Sequence, residues 1–154
     1  MLPQPAAVTG SLPQLYEQDY ALWLDATCQL LRAGRWGELD LTNLLEELED
    51  TGQSEKRALT SNLIVVLMHL LNYAYQPEQR SNSWRFTLKE HRRRLQEALN
   101  TSPSLKANFY QILADSYQEA RDLAATETGL SLSHFPLECP YSSSQVLDRD
   151  YLPQ

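Results

Sequence analysis

Apolar residues recur at three- and four-residue steps along most of this chain, the spacing that stacks side chains on one face of an α-helix. In the first such segment Tyr16, Tyr20, Trp23, Thr27, Leu30 and Leu31 share a face, and Gly34 stands where a left-handed residue would end the helix. Residues 1–13 carry three prolines and no periodic pattern, which predicts a flexible lead-in. Asp40 is a candidate N-cap for a second helix with Leu41, Leu44, Leu45 and Leu48 on its buried face. The same period continues through Gly52, Glu55, Leu59, Leu63, Leu67 and Leu70 to a stop at Pro77, so residues 41–75 read equally as one long helix with a weak point or as two.

Ser81 or Asn82 caps a third helix whose stripe is Trp84, Leu88, His91, Leu95, Ala98 and Leu99. Ser102 followed by Pro103 signals the start of a fourth, with Leu105, Phe109, Ile112, Leu113, Ala120, Leu123 and Ala124 inward and Gly129 closing it. Residues 130–154 hold three prolines among Phe135, Leu137, Tyr141, Val146, Leu147 and Tyr151, the spacing of a strap packed on a bundle, with one helical turn after Ser144. The expected fold is all-α: an antiparallel bundle of four to five helices forming a single domain over 14–154, its last part, 130–154, an irregular C-terminal strap.

Length and composition agree with that picture. A chain of 154 residues buries roughly two thirds of its unfolded surface as one domain, and only 5 glycines disfavour a turn-rich β fold. Thirteen bases against 20 acids give a net charge of -7, which on average repels nucleic acid and anionic lipid. Cys28 and Cys139 match neither a disulfide framework nor a metal-ligand spacing and read as reduced thiols. MLPQPAAVTGSLP lacks the charge and apolar core of a signal peptide, and the apolar run Leu63 to Met68 is too short to span a bilayer, so the expected location is the cytoplasm. No G-x-S-x-G, P-loop or dinucleotide fingerprint occurs, and the five glycines are too scattered to cradle a phosphate.

Four blocks carry a family resemblance: LYEQDYALWLDATCQLLRAGRWGELDLTNLLEELEDTGQSEKRAL, HLLNYAYQPEQRSNSWRFTLKEHRRRL, ADSYQEARDLAATETGL and FPLECPYSSSQVLDRDYLP. In this order, and over nearly all of residues 15–153, the chain resembles the bacterial family called domain of unknown function 29, common in cyanobacteria. The resemblance implies an all-α bundle from a bacterial cytoplasm. The family has no assigned activity, so no catalytic residue is carried over.

The sharpest chemical candidate is His69 with His91. In a helical hairpin turning near residues 79 and 80, the two lie within about one helical turn in height, His91 on the apolar stripe and His69 in a segment apolar nearly all round. Two imidazoles, joined by Asp25, Asp115 or Glu119, would suit a divalent transition metal with an open position, the centre of a hydrolase or transferase. The plainer reading makes each a neutral core histidine bonded to a carbonyl or carboxylate, with no cofactor. No Glu three residues before a histidine and no HExxH is present, which excludes a ferritin-like di-iron centre.

Charge is segregated. Six acids and no base fall between Glu38 and Asp50, and six bases against Glu90 alone fall between Arg80 and Arg94. Arg85 with Glu46 or Glu47, shielded by Trp84, is the expected ion-pair network or pocket wall. Arg92, Arg93 and Arg94 form the expected basic patch, able to grip phosphates in principle, although ion pairing within the protein or across a two-fold axis fits the net charge better. These features favour a non-enzymatic interaction module with an unknown protein partner or a second copy as a homodimer, its surface using Trp36, Tyr73 or Tyr75. The metal enzyme and the nucleic-acid binder stand as alternatives, and no membrane association is expected.

Overall fold

The computed structural model describes residues 10–154, and all regular structure among them is helical. Helix α1 spans Leu12–Gln18, α2 Tyr20–Arg32, α3 Leu41–Tyr75, α4 Asn82–Thr101, α5 Phe109–Thr128 and α6 Ser143–Leu147, with short 3-10 turns between several of them. These residues gather into two compact units, one ending at Gln53 and the other beginning at Ser54.

In the first unit the expected single helix through Tyr16 and Leu31 is broken at Asp19. Its backbone is extended (φ -152°, ψ 90°), and its carboxylate accepts the Leu22 N–H at 3.0 Å. Asp competes with the helix for backbone donors and so caps a new helix where it would otherwise sit mid-helix. Of the lead-in expected over 1–13, residues 1–9 lie outside the described residues, and Leu12 and Pro13 are already helical. Gly34 is left-handed (φ 69°), as expected. Its N–H reaches the Leu31 carbonyl and that of Arg35 the Leu30 carbonyl, the Schellman closure that satisfies two end carbonyls of α2.

Trp23 is the centre of this unit. It is fully buried, with the Tyr16 ring edge-on at 4.9 Å and the Tyr20 ring stacked at 5.9 Å. The indole N–H donates to Asp40 Oδ2 at 3.3 Å. Asp40 also accepts from the backbone and side chain of Asn43, so the cap expected for α3 also anchors the indole.

The second unit holds the main core. Helix α3 runs through Gly52 without a break, which decides for one helix over two, and contributes Leu59, Leu63, Val66, Leu67, Leu70 and Leu71 to the second unit. By length and composition this helix could cross a membrane, yet half of its most apolar window is buried in the protein, as in a core helix. Leu88, Leu95 and Leu99 of α4, Leu113, Tyr117, Ala120 and Ala124 of α5, and Phe135, Tyr141 and Val146 of the strap complete the core. Ser81 caps α4 through the Trp84 N–H at 3.2 Å. Ser102 and Pro103 open a 3-10 turn, with α5 proper starting at Phe109 and ending at left-handed Gly129.

An irregular strap cannot pair its own carbonyls, so side chains must do it. Tyr117 donates to Pro136 O at 2.6 Å, Gln118 to Leu137 O at 2.9 Å, and Arg121 to the carbonyls of Leu132 and Phe135. Farther on, Arg92 of α4 donates Nε to Val146 O, Nη1 to Tyr151 O and Nη2 to Gln145 O at 2.8–3.0 Å. Two of these carbonyls end the short helix α6, where a cation also meets the negative end of the helix dipole.

Candidate functional site

Four bonds set the register of the α3–α4 hairpin. Arg80 donates to Tyr73 O and Arg85 to the Tyr73 hydroxyl, His91 meets Asn62, and Ser102 donates to Glu55. The midpoints of these pairs place the fold-back between about residues 76 and 79, slightly before the expected 79 and 80. His91 Nδ1 meets Asn62, seven residues before His69 on α3, while the charge of His69 still acts on His91. The two histidines bond to separate partners, the Val65 carbonyl and Asn62.

Each ring nevertheless has a defined tautomer. His69 Nδ1 lies 2.9 Å from Val65 O, a pure acceptor, so the nitrogen donates. Asn62 gives its amide N–H to Ala58 O, which turns its Oδ1 toward His91, and His91 Nδ1–H donates to it at 2.7 Å. Burial first, then the charges of Arg94 and His69, hold His91 below its ordinary value of 6.5. Among the described residues no group of three or more His, Cys, Asp or Glu is arranged to hold a metal ion.

The expected pairing of Arg85 with Glu46 or Glu47 is replaced by partners inside each unit. Glu47 accepts the hydroxyls of Tyr16 and Tyr20, both at 2.6 Å, and these two bonds lower its pKa below the ordinary carboxylate value while pushing both phenols up. Glu46 is exposed. Arg85 takes the Tyr73 hydroxyl at 3.2 Å, and Arg80 lies over the same ring at 4.4 Å. Trp84 is half-buried beside them in sequence. Tyr73 itself is buried, which removes it from the exposed aromatics, whereas Trp36 is 62% exposed.

The expected basic patch of Arg92, Arg93 and Arg94 is dismantled. Arg92 is fully buried under the strap. Arg93 pairs with Glu90 and Glu97, and Arg94 with Glu90, whose carboxyl is held at about 2 by the two guanidiniums. Of the three consecutive arginines, one is thus buried and two are engaged in ion pairs. The strap's need for donors, invisible in local sequence, explains the position of Arg92.

The largest departure from the sequence reading lies on α3 in the first unit. Leu41, Leu45 and Leu48, expected inside, are 57%, 57% and 62% exposed, while Leu44 and Glu47 occupy the inward face. The three leucines fall at i, i+4 and i+7, one continuous stripe. Glu46, Glu49 and Asp50 are exposed and enter no ion pair among the described residues. In the same unit Leu12, Leu15, Ala26, Leu30 and Ala33 line a groove of about 440 Å³ between α1 and α2. The missed signal was the polar run from Glu49 to Arg57, which leaves these leucines as an isolated apolar cluster.

Nucleophilic chemistry finds no support. Both cysteines are free, and Cys28 is exposed. Cys139 borders a cleft of about 300 Å³ with Tyr110, Glu138 and Tyr141, where burial raises its thiol pKa and favours the unreactive protonated form.

The family model described as domain of unknown function DUF29 matches residues 15–152. No match is found among curated proteins or among solved structures.

Proposed function

Starting from the fact that the chain belongs to the DUF29 family, we propose that it is a non-enzymatic protein-interaction module. The observation that carries this reading is the stripe of Leu41, Leu45 and Leu48, three large apolar side chains more than half in water on one helix face. Contiguous exposed apolar surface of this kind marks interaction sites. Charge selects the occupant: Glu49 borders the stripe and Glu46 and Asp50 lie farther round the exposed side of the helix, all without ion-pair partners among the described residues, which suits an amphipathic helix with a basic edge. A second copy seated face to face would set these acids against themselves.

The test uses a synthetic amphipathic helix of leucine and lysine, titrated into the full chain by fluorescence anisotropy. Saturable, salt-sensitive binding that weakens at least tenfold in a Leu41→Glu, Leu48→Glu double variant is the expected result. Absence of binding, or equal binding by the variant, would overturn the reading. A dimer in sedimentation equilibrium, abolished by the same variant, would put a second copy on the stripe instead.

The metal-dependent hydrolase or transferase reading keeps one point in its favour: both histidines donate through Nδ1, the second-shell arrangement that readies Nε2 for a metal. Its test is the metal content of protein purified without added metal. A stoichiometric transition metal lost in His91→Ala would restore it.

A further inference from the structure

Arg85, Leu88, Lys89 and Arg92 fall within one face of α4, and with Arg149, Asp150 and Leu152 of the strap they line a depression of about 220 Å³. None of its four bases has a strong anionic partner. Arg85 donates to the neutral Tyr73 hydroxyl, and Arg92 uses three of its five N–H groups on backbone carbonyls. Arg149 enters no hydrogen bond or ion pair among the described residues. Lys89 reaches Asp150 only at 3.9 Å, with both side chains largely in solvent, a contact that water and salt screen.

The contrast with the rest of α4 makes this a local feature. Arg93 and Arg94 are neutralised by Glu90 and Glu97, and only Asp148 and Asp150 offset the charge around Arg92. A protein of net charge -7 has acids in excess, yet Arg85, Lys89 and Arg149 stay exposed around this hollow, with Asp150 the one acid in its lining.

We propose that the depression binds a small phosphate-bearing anion, either free phosphate or a small phosphate monoester. A phosphate dianion offers several acceptor oxygens, enough for Arg85, Lys89 and Arg149 together, and guanidinium forks match it in bidentate fashion. The volume is below that of ordinary drug-sized pockets, which suits a group of a few heavy atoms. Leu88 and Leu152 supply an apolar wall for the organic part of a monoester. The overall negative charge disfavours a polyanion. This site is independent of the leucine stripe.

Isothermal titration of the full chain with inorganic phosphate and with glycerol phosphate at low salt tests it. One-site binding of either, weakened at least tenfold in a Lys89→Glu, Arg149→Glu double variant and unchanged in Arg93→Glu, supports the site. Both changed positions are exposed, and unaltered circular dichroism checks the fold. Tighter binding of phosphate assigns the free ion, and tighter binding of glycerol phosphate the monoester. The proposal is overturned by no saturation with either at millimolar concentration, by full binding in the double variant, or by an equal loss in Arg93→Glu. A single-stranded oligonucleotide that binds more tightly than both and loses binding in the double variant would overturn it in favour of nucleic acid.

Discussion

In the second unit α3 buries Leu59, Leu63, Val66, Leu67, Leu70 and Leu71 completely, whereas in the first unit the same helix leaves Leu41, Leu45 and Leu48 in water. Both leucine sets follow the helical period. What differs is the supply of apolar partners: α4, α5 and the strap cover one set, while the first unit has only Leu15 and Trp23 as buried hydrophobics among its described residues. Periodicity thus reports that a face is apolar, and not whether its partner is in the same chain. Two leucine faces of similar pattern become a core in one place and an exposed stripe in the other.

If the first unit rests on a single anchor, Trp23→Ala should cost it about 3–5 kcal/mol, the usual range for emptying a buried Trp site. Urea unfolding followed at both units should then show the first melting separately while the second keeps its midpoint. A single shared transition would contradict two differently built units. In the second unit Arg92→Ala leaves three strap carbonyls without donors and should cost on the order of 3 kcal/mol, read as a lower urea midpoint. A loss within 0.5 kcal/mol or so, typical of surface sites, would show that the guanidinium does not hold the strap.

Gly52 lies in open space inside α3, so an added methyl group meets nothing. Gly52→Ala should raise stability by up to about 1 kcal/mol through helix propensity, measured by thermal unfolding. Destabilisation would argue against an unbroken helix there.

The smallest expected effect is on pH dependence, and it separates the units. His91 sits below its ordinary value of 6.5, so its contribution is complete above that pH and is lost as pH falls through the lower folded value. Glu47 sits below its ordinary 4.5, so its contribution persists to a more acidic range before it is lost. Unfolding midpoints measured from pH 7 downward should weaken first in the second unit, and His91→Gln should remove that early loss. Loss in the first unit before the second would contradict the assignment.

Much of the fold was legible because single residues carry unambiguous backbone roles. Asp40 and Ser81 as caps, Pro77 as a stop, Gly34 as a left-handed end and Gly129 as the close of its helix all hold in the structure. The break at Asp19 was hidden because Tyr16 and Tyr20 stay in helical phase across it. Arg92 sits between Leu88 and Leu95 at stripe spacing, so its position pointed inward while its charge argued outward. The carbonyls of an irregular strap decided between them, and those exist only in the tertiary structure. The histidine pair was read from spacing about the turn alone, and that spacing could not show that the Val65 carbonyl and Asn62 would be the partners of the two rings.

The proposed docking role of the leucine stripe is tested most directly by amide hydrogen exchange on the full chain, with and without the leucine–lysine helix. Slowed exchange confined to residues 41–52 is the predicted result. No protection there, or protection centred on α4 and the strap, would contradict it.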